Sequence, residues 1–288
     1  MSLVAVNGER YYVNCDGRGT PLLLLHGFTG GSTTWQPLLP RWRGAFWTIA
    51  VDLLGHGQSA APADPVRYGM DATVADLAAL LNTLGIGRAQ VLGYSLGGRV
   101  ALHFAATHPE RVDALVLESA SPGLATAAER AARVAADTAL AASIQSDGVP
   151  AFVDAWERLP LWASQARLPA AARADLRAAR LRNRPAGLAN SLRGIGTGAQ
   201  APLHDRLPGL EMPVLLIAGA EDAKFSAIAR AMATALPDAE LAIIPDAGHC
   251  VHLEQPAVFA ERVALFLGRR DTRPAASYSS KGEHVACL

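Results

Sequence analysis

The sequence predicts an α/β protein, an open and mostly parallel sheet flanked by helices, with a helical cap inserted over one edge. Three observations predict it. Short apolar runs recur at residues 21–25, 47–51, 89–92, 114–117, 213–217 and 241–244. Their hydrophobicity is continuous rather than alternating, which marks strands buried on both faces of a parallel sheet. Helical patterns lie between several of these runs, the alternation that builds such a sheet. Between about residues 121 and 207 the alternation stops, and an Ala- and Arg-rich stretch shows only helical periodicity.

The chain opens on a hairpin. Residues 4–13 hold two apolar runs around Asn7-Gly8, a dipeptide that tolerates the positive φ of a tight turn. Residues 71–84 carry apolar side chains at helical spacing and stop at Gly85, and residues 96–108 and 257–267 repeat the pattern. The interrupted stretch reads as helices at 126–145, 149–156, 170–181 and 188–193. Helices inserted between two strands of a parallel sheet sit most simply over its carboxyl edge, where such sheets bind ligands. The expected division is a core of residues 1–120 and 205–268, a cap of 121–204 and a polar, aperiodic, disordered tail of 269–288.

Composition narrows the function. Formal net charge is zero, so no global field draws the chain to nucleic acid or an anionic membrane. No apolar run approaches the ~20 residues of a membrane span, and the N-terminus lacks the regions of a signal peptide. Cys15, Cys250 and Cys287 are odd in number and widely spaced, which is no disulfide framework and has no metal spacing. A cytoplasmic location, no membrane insertion and a monomer or weak homo-oligomer are expected. Locally the balance differs: residues 121–200 hold ten arginines against six acids, an excess of four positive charges. The glycine-rich stretch from Gly194 to Gly198 follows a helix rather than a strand, so it is no dinucleotide loop.

The strongest chemical signal is GYSLG at residues 93–97, directly after a strand and opening a helix. That context makes a nucleophile elbow, with Ser95 held at a helix N-terminus. A serine hydroxyl is weak unless a histidine takes its proton and an acid holds the imidazole in one tautomer. Asp222 follows the strand at 213–217, with Glu221 as its neighbour and rival. His249 follows the last strand within PDAGH and is the one histidine so placed; His103 and His108 lie on the helix after Ser95 and read as packing or surface residues. His249 and His252 have the spacing of an H-x-x-H metal pair but no third ligand nearby. The loop HGFTGG after the strand at 21–25 offers the backbone N–H of Phe28 as one oxyanion donor, and Leu96 offers the other. His56, in the loop after the next strand, reads as structural.

Together these residues resemble one branch of the α/β-hydrolase fold, the 2-succinyl-6-hydroxy-2,4-cyclohexadiene-1-carboxylate synthases of menaquinone biosynthesis. The likeness spans residues 3–268. It is carried by LLHGFTG from Leu24, GYSLGGR from Gly93, ESASPGL from Glu118, GLANSLRGIGTG from Gly187 and GAEDAKF from Gly219. It implies a lyase without cofactor or metal, which expels pyruvate from a small substrate bearing three carboxylates. It also implies that Arg99, Arg133 and Arg180 bind those carboxylates, Arg182 being the alternative to Arg180, and that Tyr94 and Trp156 contact substrate. Arginine suits the task because its planar fork pairs with carboxylate and stays charged. Leu54, where relatives often have Pro, and Cys250, directly after His249, depart from the pattern. Two other readings use the same residues: a serine hydrolase, either an esterase or a C–C bond hydrolase acting on an acid, and a ligand receptor that keeps the triad as a pocket.

Overall fold

The computed structural model describes residues 1–269; of the tail expected at 269–288, Arg269 ends the last helix and the rest lies outside the described residues. Eight strands form one sheet in the order β1-β2-β4-β3-β5-β6-β7-β8. β1 (Ser2–Val6) and β2 (Glu9–Gly17) form the antiparallel hairpin, turning at Asn7 (φ 47°) and Gly8 (φ 85°). β2 pairs antiparallel with β4 (Phe46–Val51), and from there the sheet is parallel through β3 (Thr20–Leu25), β5 (Ala89–Tyr94), β6 (Val112–Glu118), β7 (Val214–Gly219) and β8 (Ala239–Ile244). The continuous apolar runs are the central strands: every residue of β3, β5 and β7 is buried. β8 closes one edge, and five of its six residues are only half-buried.

Helices cover both faces. α1 (Leu39–Trp42) is a single turn tied to the C-terminal α9 (Pro256–Arg269) by the Trp42 indole N–H, which donates to the Ala260 carbonyl at 3.2 Å. α2 (Met70–Thr83) and α3 (Leu96–Thr107) pack with Leu23, Leu25, Val91 and Leu115 on one side of the sheet. α9 and the short α8 (Val251–Glu254) pack with Leu22, Leu24, Leu92 and Val116 on the other, and α7 (Ala223–Ala235) lies along β7 and β8. Among the described residues no helix is long and apolar enough to cross a membrane. Cys250 is a buried free thiol.

Between β6 and β7 the chain builds only helices: α4 (Ala127–Trp156), α5 (Ala170–Leu181) and α6 (Pro185–Ile195), with a 3₁₀ segment at Pro160–Arg167. α4 starts on a capping box, Thr126 accepting from the Glu129 N–H while Glu129 reaches back to the Thr126 N–H. The chain leaves helical geometry at Gly148 (φ 82°, ψ 168°), two residues before Pro150, so α4 consists of two successive helices, in line with the separate readings at 126–145 and 149–156. Ile144, Phe152 and Val153 of α4 and Leu188 and Leu192 of α6 form their own small core, and Phe28 of the sheet's edge packs against it. The helical layer is thereby keyed to the loop that follows β3.

Candidate active site

Parallel strands place their carboxyl ends on one edge. Leu25, Tyr94, Glu118, Gly219 and Ile244 end there, so the segments that follow them converge. Ser95 stands between β5 and α3 with φ 51° and ψ −107°, a conformation costly for a residue with a side chain. The surrounding packing holds it: a Cβ at Gly93 would overlap the Gly97 carbonyl, so strand and helix can meet this tightly only without one. Ser95 Oγ lies 3.0 Å from His249 Nε2, and His249 Nδ1 lies 2.7 Å from Asp222 Oδ2. The second Asp222 oxygen accepts the Phe225 N–H at 3.1 Å, which caps α7 and fixes the carboxylate. Glu221 is exposed and pairs with Arg167 at 2.8 Å. The structure therefore brings Asp222, not Glu221, to the imidazole.

His249 is 2% exposed and sits among the rings of Tyr94, Trp162 and Phe225, at centroid distances of 5.5, 5.5 and 4.5 Å. His252 points elsewhere, its Nδ1 lying 2.7 Å from an oxygen of the fully buried Glu118. His103 is buried one turn along α3 from Arg99 and held neutral, its pKa lowered to about 4 by burial and then by Arg99. His108 is half-buried, with Glu110 at 3.5 Å. His56 is buried, its Nδ1 3.1 Å from the Leu54 carbonyl, and burial lowers its pKa to about 3.

Ser95 and His249 face a cavity of about 250 Å³ beneath the helical layer. Phe28, Tyr94, Ser95, Leu96, Trp156 and His249 line it. Leu96 is the first residue of α3, where N–H groups lack intrahelical acceptors. The charged liners are Arg99, Arg133 and Lys224, and no aspartate or glutamate is among them. Arg99 is buried; its guanidinium donates to the Ile195 carbonyl at 2.9 Å and to the Gln200 side-chain oxygen. Burial and the nearby Arg133 lower its pKa to about 10, so it remains charged at neutral pH. Arg133 pairs with Asp137 at 2.8 Å across one turn of α4, and burial raises the Asp137 pKa despite that partner. Trp156 and Ser119 also line this cavity, and the buried Trp156 indole N–H and Ser119 hydroxyl have no hydrogen-bond partner among the described residues.

Arg180 is placed differently. It is 5% exposed, donates to Glu157 at 3.0 Å and lies over the Trp162 ring at 5.4 Å. It lines an adjoining cavity of about 480 Å³, together with Arg182, Asp175 and Cys250. Phe28, Tyr94 and Trp162 face both cavities. Of the three arginines singled out in the sequence, two reach the triad's cavity and the third stands behind its aromatic wall.

Sequence reasoning missed the support of that wall. Tyr94 Oη lies 2.6 Å from Cys250 Sγ, the Gln165 amide donates to the same sulfur at 3.2 Å, and Arg180 donates to Gln165 at 3.4 Å. Burial pushes both the Tyr94 hydroxyl and the Cys250 thiol well up, so both are neutral. The available signal was Cys250 itself, a departure directly beside the histidine. Lys224 was missed too. Its signal was composition: only Lys224 and Lys281 are lysines among 26 basic residues.

An antiparallel hairpin on a parallel sheet, an elbow serine after β5 and a capping layer before β7 define the class. The chain belongs to the α/β-hydrolase fold family, whose model matches residues 20–256. Within it, the chain groups with the 2-succinyl-6-hydroxy-2,4-cyclohexadiene-1-carboxylate synthases. A Bacillus subtilis (strain 168) protein that carries this name provisionally is 44% identical over 272 residues, 93% of this chain and 98% of that one. The synthase of Serratia proteamaculans (strain 568) is 35% identical over 85% of this chain and 92% of its own. Among solved structures, MenH from S. aureus superposes with a TM-score of 0.86 at 33% identity, covering 90% of this chain and 98% of that one.

Proposed function

We propose that the chain eliminates pyruvate from 2-succinyl-5-enolpyruvyl-6-hydroxy-3-cyclohexene-1-carboxylate, giving 2-succinyl-6-hydroxy-2,4-cyclohexadiene-1-carboxylate. The observation that supports this reading most is the union of a hydrogen-bonded triad with a cavity whose charged liners are all cationic. A neutral ester gains nothing from such a lining, whereas a tricarboxylate needs it in a chain of zero net charge.

In this mechanism Ser95 Oγ takes the proton from the ring carbon beside the succinyl ketone while its own proton passes to His249 Nε2. Asp222 accepts from His249 Nδ1 and stabilises the imidazolium that forms. Negative charge moves to the ketone oxygen, where the N–H groups of Phe28 and Leu96 receive it. The enolate then re-forms its carbonyl, its electron pair forms the C2–C3 double bond, the ring C3–C4 double bond shifts to C4–C5, and the C5–O bond to the enolpyruvyl group breaks. The departing enolate takes up a proton at carbon to become pyruvate, and His249 returns its proton so that the triad is restored. Arg99 and Arg133 hold carboxylates, and Tyr94 and Trp156 shape the wall. Arg180 acts from behind that wall, through Gln165 and Cys250.

Pyruvate release from the enolpyruvyl substrate tests the proposal. Turnover that disappears in Ser95→Ala is expected. Absence of pyruvate release from the wild-type protein contradicts it.

A further inference from the structure

The proposed substrate carries three carboxylates, and the triad's cavity offers three cations only when Lys224 is counted. Arg180, the third arginine expected to serve, lines the neighbouring cavity and is paired with Glu157. Arg133 is partly offset by Asp137. Positive charge without a carboxylate partner therefore rests on Arg99, which donates to two neutral oxygens, and on Lys224. The contact described for the Lys224 ammonium is the Phe225 ring, at 5.6 Å to its centroid. Among the described residues it makes no ion pair.

Its place in the fold argues the same way. Lys224 is the second residue of α7, two positions after Asp222. A cation in the first turn opposes the helix macrodipole, so local stability does not account for it. The bond from the Phe225 N–H to Asp222 that fixes the triad acid also fixes the backbone on both sides of Lys224. The side chain is exposed, as a flexible ammonium that meets an incoming anion at the rim should be.

We propose that Lys224 is the third carboxylate-binding residue of the site, recognising one carboxylate of the substrate without taking part in the proton transfer. This rests on the tricarboxylate reading above. Lysine rather than arginine fits a rim position, where a hydrated point charge with rotatable donors can follow the ligand as it enters.

The experiment is steady-state pyruvate release by wild type, Lys224→Gln and Lys224→Arg, with thermal unfolding of each as a control of folding. Lys224→Gln should raise KM about 10-fold, the lower end of a charge-assisted bond because the site is exposed, and leave kcat within about 2-fold. Lys224→Arg should restore most of the KM, and the salt dependence of KM should be shallower in Lys224→Gln than in wild type. An unchanged KM in Lys224→Gln overturns the assignment, as does a fall in kcat at constant KM or a Lys224→Arg variant no better than Lys224→Gln. No pyruvate from the wild type would instead remove the reading of function on which the assignment rests.

Discussion

The serine, the imidazole and the carboxylate form one hydrogen-bonded line, with separations of 3.0 and 2.7 Å. Groups that act as a unit lose activity together. Ser95→Ala, His249→Ala and Asp222→Asn should each lower turnover by at least about 10³-fold, and Ser95→Ala/His249→Ala should be little worse than either single change. Multiplicative losses in the double variant would show that the two act separately. Arg99 makes a second prediction. Its loss removes a buried, charge-assisted partner, so Arg99→Ala should lower kcat/KM for the tricarboxylate by about 10- to 150-fold. Hydrolysis of a neutral test ester should change far less. Equal losses on both would assign Arg99 to support of the Ile195 and Gln200 segment.

At this scale the residues adjoining strand ends were legible, because the elbow and the loops after β7 and β8 announce themselves locally. The choice between Asp222 and Glu221 could only be argued from offset; the structure turns Glu221 out to Arg167. The arginines of the helical layer were less legible. Which cavity Arg180 faces depends on how α5 lies against the 3₁₀ segment, and no local pattern in an arginine-rich chain encodes that. Cys250 and Gln165 meet over a separation of 85 residues, so their contact has no sequence signature.

At the scale of elements, the buried strands were readable because both faces need apolar side chains. α1 and the segment Pro160–Arg167 were not, being short and proline-led with no helical period to detect. The motif beginning at Gly187 stood out by resemblance, and packing explains its first residue. A Cβ there would overlap the Gly55 carbonyl in the loop after β4, so α6 and the core touch backbone to backbone. Asn190 adds bonds to the Pro62 and Ala63 carbonyls at 3.2 and 3.1 Å. Gly187→Ala should therefore cost about 1–3 kcal/mol in urea unfolding and raise KM, by prying the helical layer off its seat. Wild-type stability in that variant would mean the contact yields freely. The buried histidines give a pH dependence. His103 and His56 have folded pKa values lowered to about 4 and about 3, below the ordinary 6.5. Between those values and 6.5 the unfolded chain binds more protons, so stability falls as pH drops through that window, by up to about 1.4 kcal/mol per pH unit for each group. His103→Gln should flatten the slope between about pH 4 and 6.5; an unchanged slope would show that His103 does not contribute.

At the scale of the whole molecule, a chain of zero net charge gathers Arg99, Arg133 and Lys224 around one cavity. The local excess in the helical layer was visible in composition, and its partial cancellation by Asp137, Glu157 and Asp154 was not. The triad and oxyanion donors proposed above would serve ester hydrolysis as well as elimination on the same scaffold, because enolate and tetrahedral intermediate both place negative charge on oxygen. Mutagenesis of the triad cannot separate the two. The difference is what Ser95 does: as a base it takes a proton, and as a nucleophile it forms a bond to carbon. Rapid-quench mass spectrometry of the intact protein during pyruvate release reads this directly. The account predicts that Ser95 stays unmodified at every time from the first turnover to steady state. A Ser95 acyl adduct that forms and decays at the turnover rate would contradict it.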